Sequence, residues 1–553
     1  MQDQKFYITT PIYYGNGVPH IWHTYSSLIA NVIYKYNKIA GKKSRFTTWI
    51  DENSQKAVLK AEEAGKEIME YLDEMAQKHK SVWDFFNIEY TDFIRTTENR
   101  HHKLVQAVLQ TCYERGDIYA GMYEGMYCVG CESFKKDEDL IERDGKKVCP
   151  DHLVEPQKLK EKNYFFKLSK YQTWIEEFYA KNPDFVKPDF RYNEVKAFVK
   201  RWLEDFSISR ETNTFGIPVP FDNSQVTYVW FDALFNYYTS CKYSKSGDKN
   251  SENFSDEAKE FWEENPNKVH VVGKDIIRFH AIFWPCMLAS YFNLGEEKNW
   301  VIHYKDSDRI FLPTTILTGW YFTVDGQKMS KSLWNVIEPV EYAKQYGKEL
   351  LTLYMLSAFP IGTDGDYDRE QALLTYNAKL ANNLWNLVNR VVVLALKLDW
   401  KLQKPSEFEI QTYAEVEDGA YFGNPMDTLS YFQKDFYDAI WSYQLKNSLD
   451  YAFAYLTNLN KFADEQEPWK TIKDETKLAE TKEVLYILAE WLRQVWLTLY
   501  PFFPEKMAEM FAKLGLENYT ESLERGELQK LIDKSETFVI KEKGEPLFLR
   551  FEI

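Results

Sequence analysis

Hydrophobic and polar positions change period three times in the first fifty residues. Residues 4–14, QKFYITTPIYY, carry Phe6, Ile8 and the aromatics around Tyr13, all strand formers, and predict a β-strand. Gly15, Gly17 and Pro19 break it. From His23 to Ala40 apolar residues recur at helical spacing, with Ser and Thr near the start to cap a helix. Residues 44–50, SRFTTWI, return to strand character, with Asp51 and Glu52 at the end. Strand, glycine turn, helix and strand make a βαβ unit.

The pattern changes again further along. Residues 117–215 hold three of the six cysteines and many lysines, with no long helical period, and read as an insertion. TYVWFDALFNYYTS (227–240) and KVHVVGKDIIRFHAIFWPCML (268–288) resume strand and helix, as the second half of a doubly wound parallel sheet would. The polar KYSKSGDKNSENFSDEAKE between them reads as loop. From about residue 369 the chain is expected to be all-helical, with runs such as LLTYNAKLANNLWNLVNRVVVLALKL and EVLYILAEWLRQVWLTLYPFF. There is no internal repeat or low-complexity tract.

At 553 residues the chain is too long for one core. A net charge of −16 argues against a uniformly basic nucleic-acid coat, but leaves room for local patches. Lys35, Lys38, Lys42, Lys43 and Arg45 lie in a window without acids and could form one, or could be a solvated face. The N-terminus lacks the basic and apolar regions of a secretory signal, and no apolar run approaches a membrane span. Six cysteines in so long a chain make a disulfide framework a poor fit and point to a reducing cytoplasm.

Candidate chemistry sharpens the picture in three places. Cys128 and Cys131 (CVGC) and Cys149 and His152 (CPDH), separated by a hairpin-length segment, can bring three thiolates and an imidazole to tetrahedral Zn²⁺. Four ligands close the site, so the ion is expected to be structural; Cys112, Cys241 and Cys286 are read as inert buried thiols. His20 and His23 fall where strand meets helix, a place that favours anions, and can donate to phosphate oxygens. Lys328 and Lys331, in KMSKS after TVDGQ, could neutralise a triphosphate and the charge that develops as pyrophosphate leaves.

PHIWH (19–23) resembles the HIGH signature, and KMSKS is the second signature, of class I aminoacyl-tRNA synthetases. The resemblance extends to the methionyl-tRNA synthetases through TTPIYYGNGVPH, DENSQK, YEGMYCVGCE, NYFFKLSKYQ, FGIPVP, YVWFDAL, GKDIIRFHAIFWP, GQKMSKSLWNVI, KLANNLWNLVNR and EQEPWK, in order over nearly the whole chain.

The resemblance implies an α/β fold: a Rossmann-like doubly wound sheet with a zinc-bearing insertion, then an all-α anticodon-binding bundle. Residues 1–116 and 216–305 would be the catalytic halves, 117–215 the insertion and 306–368 a stem-contact region with the KMSKS loop. Residues 369–520 would be the bundle, and 521–553 a segment packing back on the body. Methionine would be activated with ATP and Mg²⁺ to methionyl-adenylate, then passed to the 3′ end of tRNA(Met). His20, His23, Lys328 and Lys331 would act on the phosphates, and Asn16, Gly17, Gly273 and Asp275 would hold ATP. Ile12, Tyr14, Trp230, Ala233, Tyr237 and His280 would surround the methionine thioether, with Asp51 on its ammonium. Asn386, Arg390 and Trp469 would read the anticodon. With the sequence ending at EPLFLRFEI, the expectation is a monomer without an appended tRNA-binding domain.

Four departures share a form. Trp22, Trp49, Trp334 and Trp385 stand where the resembled segments have glycine, with flanks intact. Some bacteria read UGA as glycine and another variant code reads it as tryptophan, so translation with the wrong code would produce this exchange. A genuine Trp22 would instead suit a catalytically impaired tRNA-binding paralogue. Asn53 and Ser54 replace the commoner histidine and glycine, and Gly295–Phe311 is longer than usual. The insertion is too small for the editing domain of synthetases for leucine, isoleucine or valine, the remaining alternative.

Overall fold

The computed structural model describes residues 4–552 except 129–132, 136, 144, 151–152, 212, 214, 246–253, 295–310, 320–321, 325–326, 329–336, 399, 405–424, 535–536 and 542–543. The chain forms two compact units. One comprises Lys5–Ala30 and Ser44–Gly319; the other comprises Met1–Gln4, Asn31–Lys43 and Trp320–Ile553.

The first unit is built on a seven-stranded sheet: Lys5–Thr9 (β1), Tyr13–Tyr14 (β2), Lys43–Asp51 (β3), Asp92–Arg95 (β4), Val186–Lys187 (β5), Lys268–Val272 (β6) and Thr315–Thr318 (β7). The order is β5-β7-β6-β1-β3-β2, with β4 also on β3. β1 runs parallel to β6 with Thr9 opposite His270, and β6 parallel to β7 with Val272 opposite Thr318. Helix α1 (Ile21–Ile39) connects β2 to β3. Strands covered on both faces read as continuous apolar runs rather than alternating ones, and four of the five residues of β1 are buried. The chain reverses its direction across the sheet between β1 and β6. In open α/β sheets the loops at the carboxyl ends of the strands beside such a reversal form the binding crevice.

The insertion forms an antiparallel sheet whose long pair, Ile118–Cys128 with Gln157–Phe166, is flanked by Ser133–Lys135 and Phe206–Ser207. It also contains two helices, Gln172–Lys181 and Asp189–Val199, shorter than the periods a sequence reading looks for. Between them it lends β5 to the central sheet.

The second unit is mainly helical. Arg369–Tyr376, Asn377–Trp385 and Asn386–Ala395 follow one another without a break, the middle one as π-helix. Pro425–Trp441, Leu445–Gln466 and Leu478–Leu499 complete its core. Phe432 stacks on Tyr455 at 4.5 Å, and Trp491 meets Phe462 edge-on at 5.4 Å. Arg493 is fully buried and pairs with Glu490, its guanidinium also donating to the carbonyls of Leu531 and Lys534. Near the C-terminus, Phe551 exchanges two 2.9 Å hydrogen bonds with the Asn377 side chain.

The basic run 35–45 is not a surface patch. Lys35 and Arg45 are buried. Arg45 pairs with Glu257 at 2.8 Å, Lys38 with Glu524, and Lys42 lies 4.6 Å over the Trp441 ring. Of the run, Lys38 and Lys42 are half-buried and Lys43 alone is exposed, so the five charges do not form one continuous basic face.

Candidate active site

The turn after β2 is held tightly. The Gly15 N–H donates to the Asp51 carbonyl at 2.7 Å, and a Cβ at Gly15 would come within 3.2 Å of that same oxygen. Only glycine allows the turn to lie so close to the end of β3. Asn16 and Gly17 continue it, and His20 ends it as the residue preceding α1.

Helix α1 starts two residues before the serine and threonine pattern suggests, because its cap is an imidazole. His23 Nδ1 accepts the His20 backbone N–H at 3.0 Å, while the His20 carbonyl accepts the His23 N–H at 2.9 Å. This is one half of a capping box, with His23 in the place usually taken by Glu or Gln and a backbone turn in place of the N-cap side chain. The consequence is chemical. With Nδ1 committed as an acceptor, the remaining proton of a neutral His23 sits on Nε2 and is available for donation. Burial, then the neighbouring His20 and His79, push the His23 pKa well below the ordinary histidine value, so the ring stays neutral. The two rings lie 4.0 Å apart.

His79 was missed by the sequence reading. It is fully buried on the helix Ile68–Phe85, on the same stripe as Leu72, Met75 and Trp83. A histidine on an otherwise apolar stripe was the available signal. Its ring lies 6.0 Å from that of His23, and Nε2 donates to the Gly17 carbonyl at 3.3 Å. Burial lowers its pKa to about 4. Tyr13 packs edge-on against His23 at 4.9 Å and donates to the His23 carbonyl at 3.1 Å, closing the cluster.

Gly273 and Asp275 follow β6, the neighbour of β1 on the far side of the reversal. The Asp275 carboxylate rests so close to Gly273 that a Cβ there would meet it at 2.5 Å. Both expected nucleotide-contacting segments, the histidine turn and Gly273–Asp275, therefore leave the carboxyl ends of β1, β2 and β6 around the crevice.

The expected amino-acid residues come together in the same unit. Trp230 stacks face to face on Phe279, 3.9 Å and 3° apart, in a small cluster with Tyr14, set apart from the main core. Ile12, Ala233 and Tyr237 belong to that core. Tyr237 Oη and His280 Nε2 are 2.5 Å apart, and His280 Nδ1 donates to the Ile276 carbonyl at 2.9 Å. The second bond fixes the tautomer, so Tyr237 is the donor in the first. His280 lies in a π-helical turn, Phe279–Phe283, and burial lowers its pKa to about 4. Tyr237 also stacks on His270 at 3.9 Å, and His270 Nδ1 bonds Thr9 Oγ1 at 2.9 Å. Phe279 and His270 were not among the expected residues. Asp51 is buried at the end of β3. Asn53, one of the departures, donates to Asp232 and to the Thr96 carbonyl, both at 3.1 Å.

Of the four noted tryptophans, Trp49 is fully buried, donates to the Pro11 carbonyl at 2.9 Å and meets Tyr237 edge-on at 4.4 Å. Trp385 is buried, and Trp22 is half-buried with its ring 6.4 Å from that of His20. Trp334 lies outside the described residues, as do Lys331 and the Lys328 side chain, Cys131, His152 and most of Gly295–Phe311.

In the helical unit Asn386 and Arg390 share one face of Asn386–Ala395. The Arg390 guanidinium lies 5.3 Å over the Trp469 ring and pairs with Asp464 at 2.8 Å. Beside Trp469 is a cavity of about 510 Å³ lined also by Leu394, Leu398, Lys397, Lys473 and Lys482.

Residues 6–392 match the family model of tRNA synthetases class I (M). A methionine–tRNA ligase of Fusobacterium nucleatum is 37% identical over 558 residues, covering all of this chain and 80% of that protein. The chain belongs to the methionine–tRNA ligase family. Family members from Caldanaerobacter subterraneus (37%; 100% of this chain and 79% of that protein) and Thermotoga maritima (34%; 99% and 80%) agree over the same length. The methionyl-tRNA synthetase of Mycobacterium tuberculosis in complex with methionyl-adenylate superposes with a TM-score of 0.86 at 29% identity, covering 99% of this chain and all of the other. The sheet, the insertion and the helical unit are thus those of a methionine–tRNA ligase.

The buried imidazoles set a pH dependence. A histidine whose folded pKa is depressed binds its proton more readily when unfolded, so its contribution to stability is present above about pH 6.5 and is lost as pH falls through the folded value. For His79 and His280 that window runs from about 6.5 down to about 4. Calorimetry across this range is expected to show the midpoint of the unit that holds them falling steadily, and His79→Phe is expected to reduce the slope.

Proposed function

We propose that this chain activates methionine with ATP and transfers it to tRNA(Met), and that the sites assigned above carry out the work. The observation that supports the amino-acid specificity is the Tyr237–His280 pair. Its hydrogen-bonding capacity is turned inward, leaving an aromatic surface of Trp230, Phe279 and Tyr237. Sulfur packs well on ring edges and faces, and such a surface offers no partner to a polar side chain. Asp51 supplies the carboxylate for the substrate ammonium.

ATP binds at the reversal between β1 and β6, with Asn16, Gly17, Gly273 and Asp275 around it. His23 Nε2 and His20 donate to phosphate oxygens, and the N-terminus of α1 adds its own field. Lys328 and Lys331 neutralise the charge that grows as pyrophosphate leaves. The methionine carboxylate attacks the α-phosphorus, the P–O bond to pyrophosphate breaks, and the mixed anhydride forms. A ribose hydroxyl of the tRNA end then attacks the acyl carbon and AMP departs. Mg²⁺ bound with the triphosphate would supply further charge neutralisation there.

Cys128, Cys131, Cys149 and His152 hold one structural Zn²⁺. Cys128 and Cys149 are fully buried although Leu153 and Val154, next to the second pair, are each 49% exposed. Buried thiols in a lobe with so little apolar cover suit a metal in place of a core. No described cysteine is in a disulfide, which fits a reducing, cytoplasmic compartment. In the helical unit Trp469 and Arg390 offer a stacking platform and a donor fork to an unpaired anticodon base, CAU being the expected triplet, with the three lysines of the adjoining cavity near its phosphates.

Methionine-dependent ATP–pyrophosphate exchange tests the assignment. Exchange with methionine is expected; exchange with leucine, isoleucine or valine instead, or none at all, contradicts it. Tyr237→Phe leaves the buried His280 acceptor unsatisfied and is expected to raise KM for methionine about tenfold, with kcat little changed. Trp469→Ala is expected to lower aminoacylation of tRNA by about 10- to 100-fold while tRNA-free exchange stays at its original rate. Elemental analysis of the purified protein is expected to find one zinc per chain; a metal-free folded protein contradicts the four-ligand site.

A further inference from the structure

Two further tryptophans, ordinary in their sequence context, occupy backbone conformations that suit glycine. Trp202 has φ +69° and Trp400 φ +57°. L-residues seldom enter this left-handed region, and bulky ones are outliers there. Both indoles are also exposed, by 76% and 60%. Neither makes a hydrogen bond or a ring contact among the described residues. Nothing the side chain touches offsets the conformation.

Elsewhere the chain fills that role with glycine at five helix ends, and with Asn87, Asn293 and Tyr443 after the helices ending at Phe85, Phe292 and Trp441. Where helices end at Ile39, Glu63, Glu114, Lys513 and Glu524, a glycine with positive φ follows within two residues: Gly41, Gly65, Gly116, Gly515 and Gly526. Each closes its helix with an N–H donated to the carbonyl three residues back, at 2.9 to 3.0 Å. Trp202, three residues past the helix Asp189–Val199, makes the same bond to the Val199 carbonyl at 3.1 Å. Trp400 follows the helix ending at Ala395, and its carbonyl accepts from the Ile540 N–H at 2.9 Å. Left-handed residues that close a helix are usually glycine.

Composition points the same way. The chain has 23 glycines and 17 tryptophans. At ordinary usage of about 7%, about 39 glycines would be expected.

We propose that positions 202 and 400 are glycine in the polypeptide as its own cells make it, and that their codons are UGA read as glycine. The same reassignment then accounts for Trp22, Trp49, Trp334 and Trp385, which were recognised on different grounds. It does not extend to every tryptophan: Trp230 and Trp262 have no left-handed backbone and are not among the glycine positions of the resembled segments. Nor does it extend to every positive φ, since Tyr443, at +61°, is not a tryptophan and is expected to remain tyrosine.

Peptide sequencing by mass spectrometry of the protein purified from its own cells decides the matter independently of any activity. Glycine is expected at 202 and 400, with tryptophan retained at 230 and 262 and tyrosine at 443. Tryptophan at 202 or 400 overturns the proposal. A second measurement needs only the recombinant chain. Trp202→Gly and Trp400→Gly are each expected to raise the unfolding midpoint of the unit that holds them by roughly 2–4 °C. The matching alanine variants remove the same indole but retain the positive-φ penalty, and are expected to gain less. Equal midpoints for the glycine and alanine variants overturn the conformational argument.

Discussion

The site depends on a single short-range exchange: the His20 N–H held by His23 Nδ1 and the His23 N–H held by the His20 carbonyl. The exchange fixes where α1 begins, and so where the orphan N–H groups of its first turn point. It also fixes the His23 tautomer. A ring that must accept at Nδ1 to close the helix has its proton at Nε2. Burial keeps the ring neutral, so the donor is not exchanged for a cation that would have to be desolvated. Tyr13 and His79 hold the two ends of this turn in place, through the His23 and Gly17 carbonyls.

The same logic of internal commitment recurs around the amino acid. His280 donates to the Ile276 carbonyl and accepts from Tyr237, which in turn stacks on His270. The polar atoms of Tyr237 and His280 are turned toward protein, which leaves ring carbon for the proposed thioether, while His270 Nε2 is buried without a hydrogen-bond partner among the described residues. In a family whose chemistry is mainly positioning and charge stabilisation, fixed groups are worth more than reactive ones. In the proposed reaction the neutral imidazoles supply direction, and the strongly charged groups, Lys328 and Lys331, lie far away in sequence.

Much of this was legible in advance, and the reasons differ by element. β1, α1 and β3 could be read because each has its own period and the glycine turn separates them. The histidine turn could be placed because its spacing sits between strand and helix; Lys331, the Lys328 side chain, Cys131 and His152 lie outside the described residues, so the lysine loop and the zinc site stay expectations. The start of α1 was misplaced by two residues because the search was for a hydroxyl cap and the structure uses an imidazole. β5 was invisible because two residues have no period. The basic run at 35–45 looked like a surface because charge suggests exposure; Lys35 and Arg45 are buried and Arg45 is paired. His79 and Phe279 act through tertiary neighbours far away in sequence, which no local pattern encodes. Trp202 and Trp400 look ordinary as letters and become conspicuous only through their backbone angles.

The most direct test of the account is the tautomer and titration of His23, followed by nitrogen-15 NMR of the protein labelled at histidine. The account predicts an Nε2–H tautomer, with Nδ1 an unprotonated acceptor, that persists without titrating from pH 8 to well below the ordinary histidine range. A His23 resonance that titrates near 6.5, or a proton residing on Nδ1, would contradict it, because the helix cap and the phosphate donor could not then be the same ring.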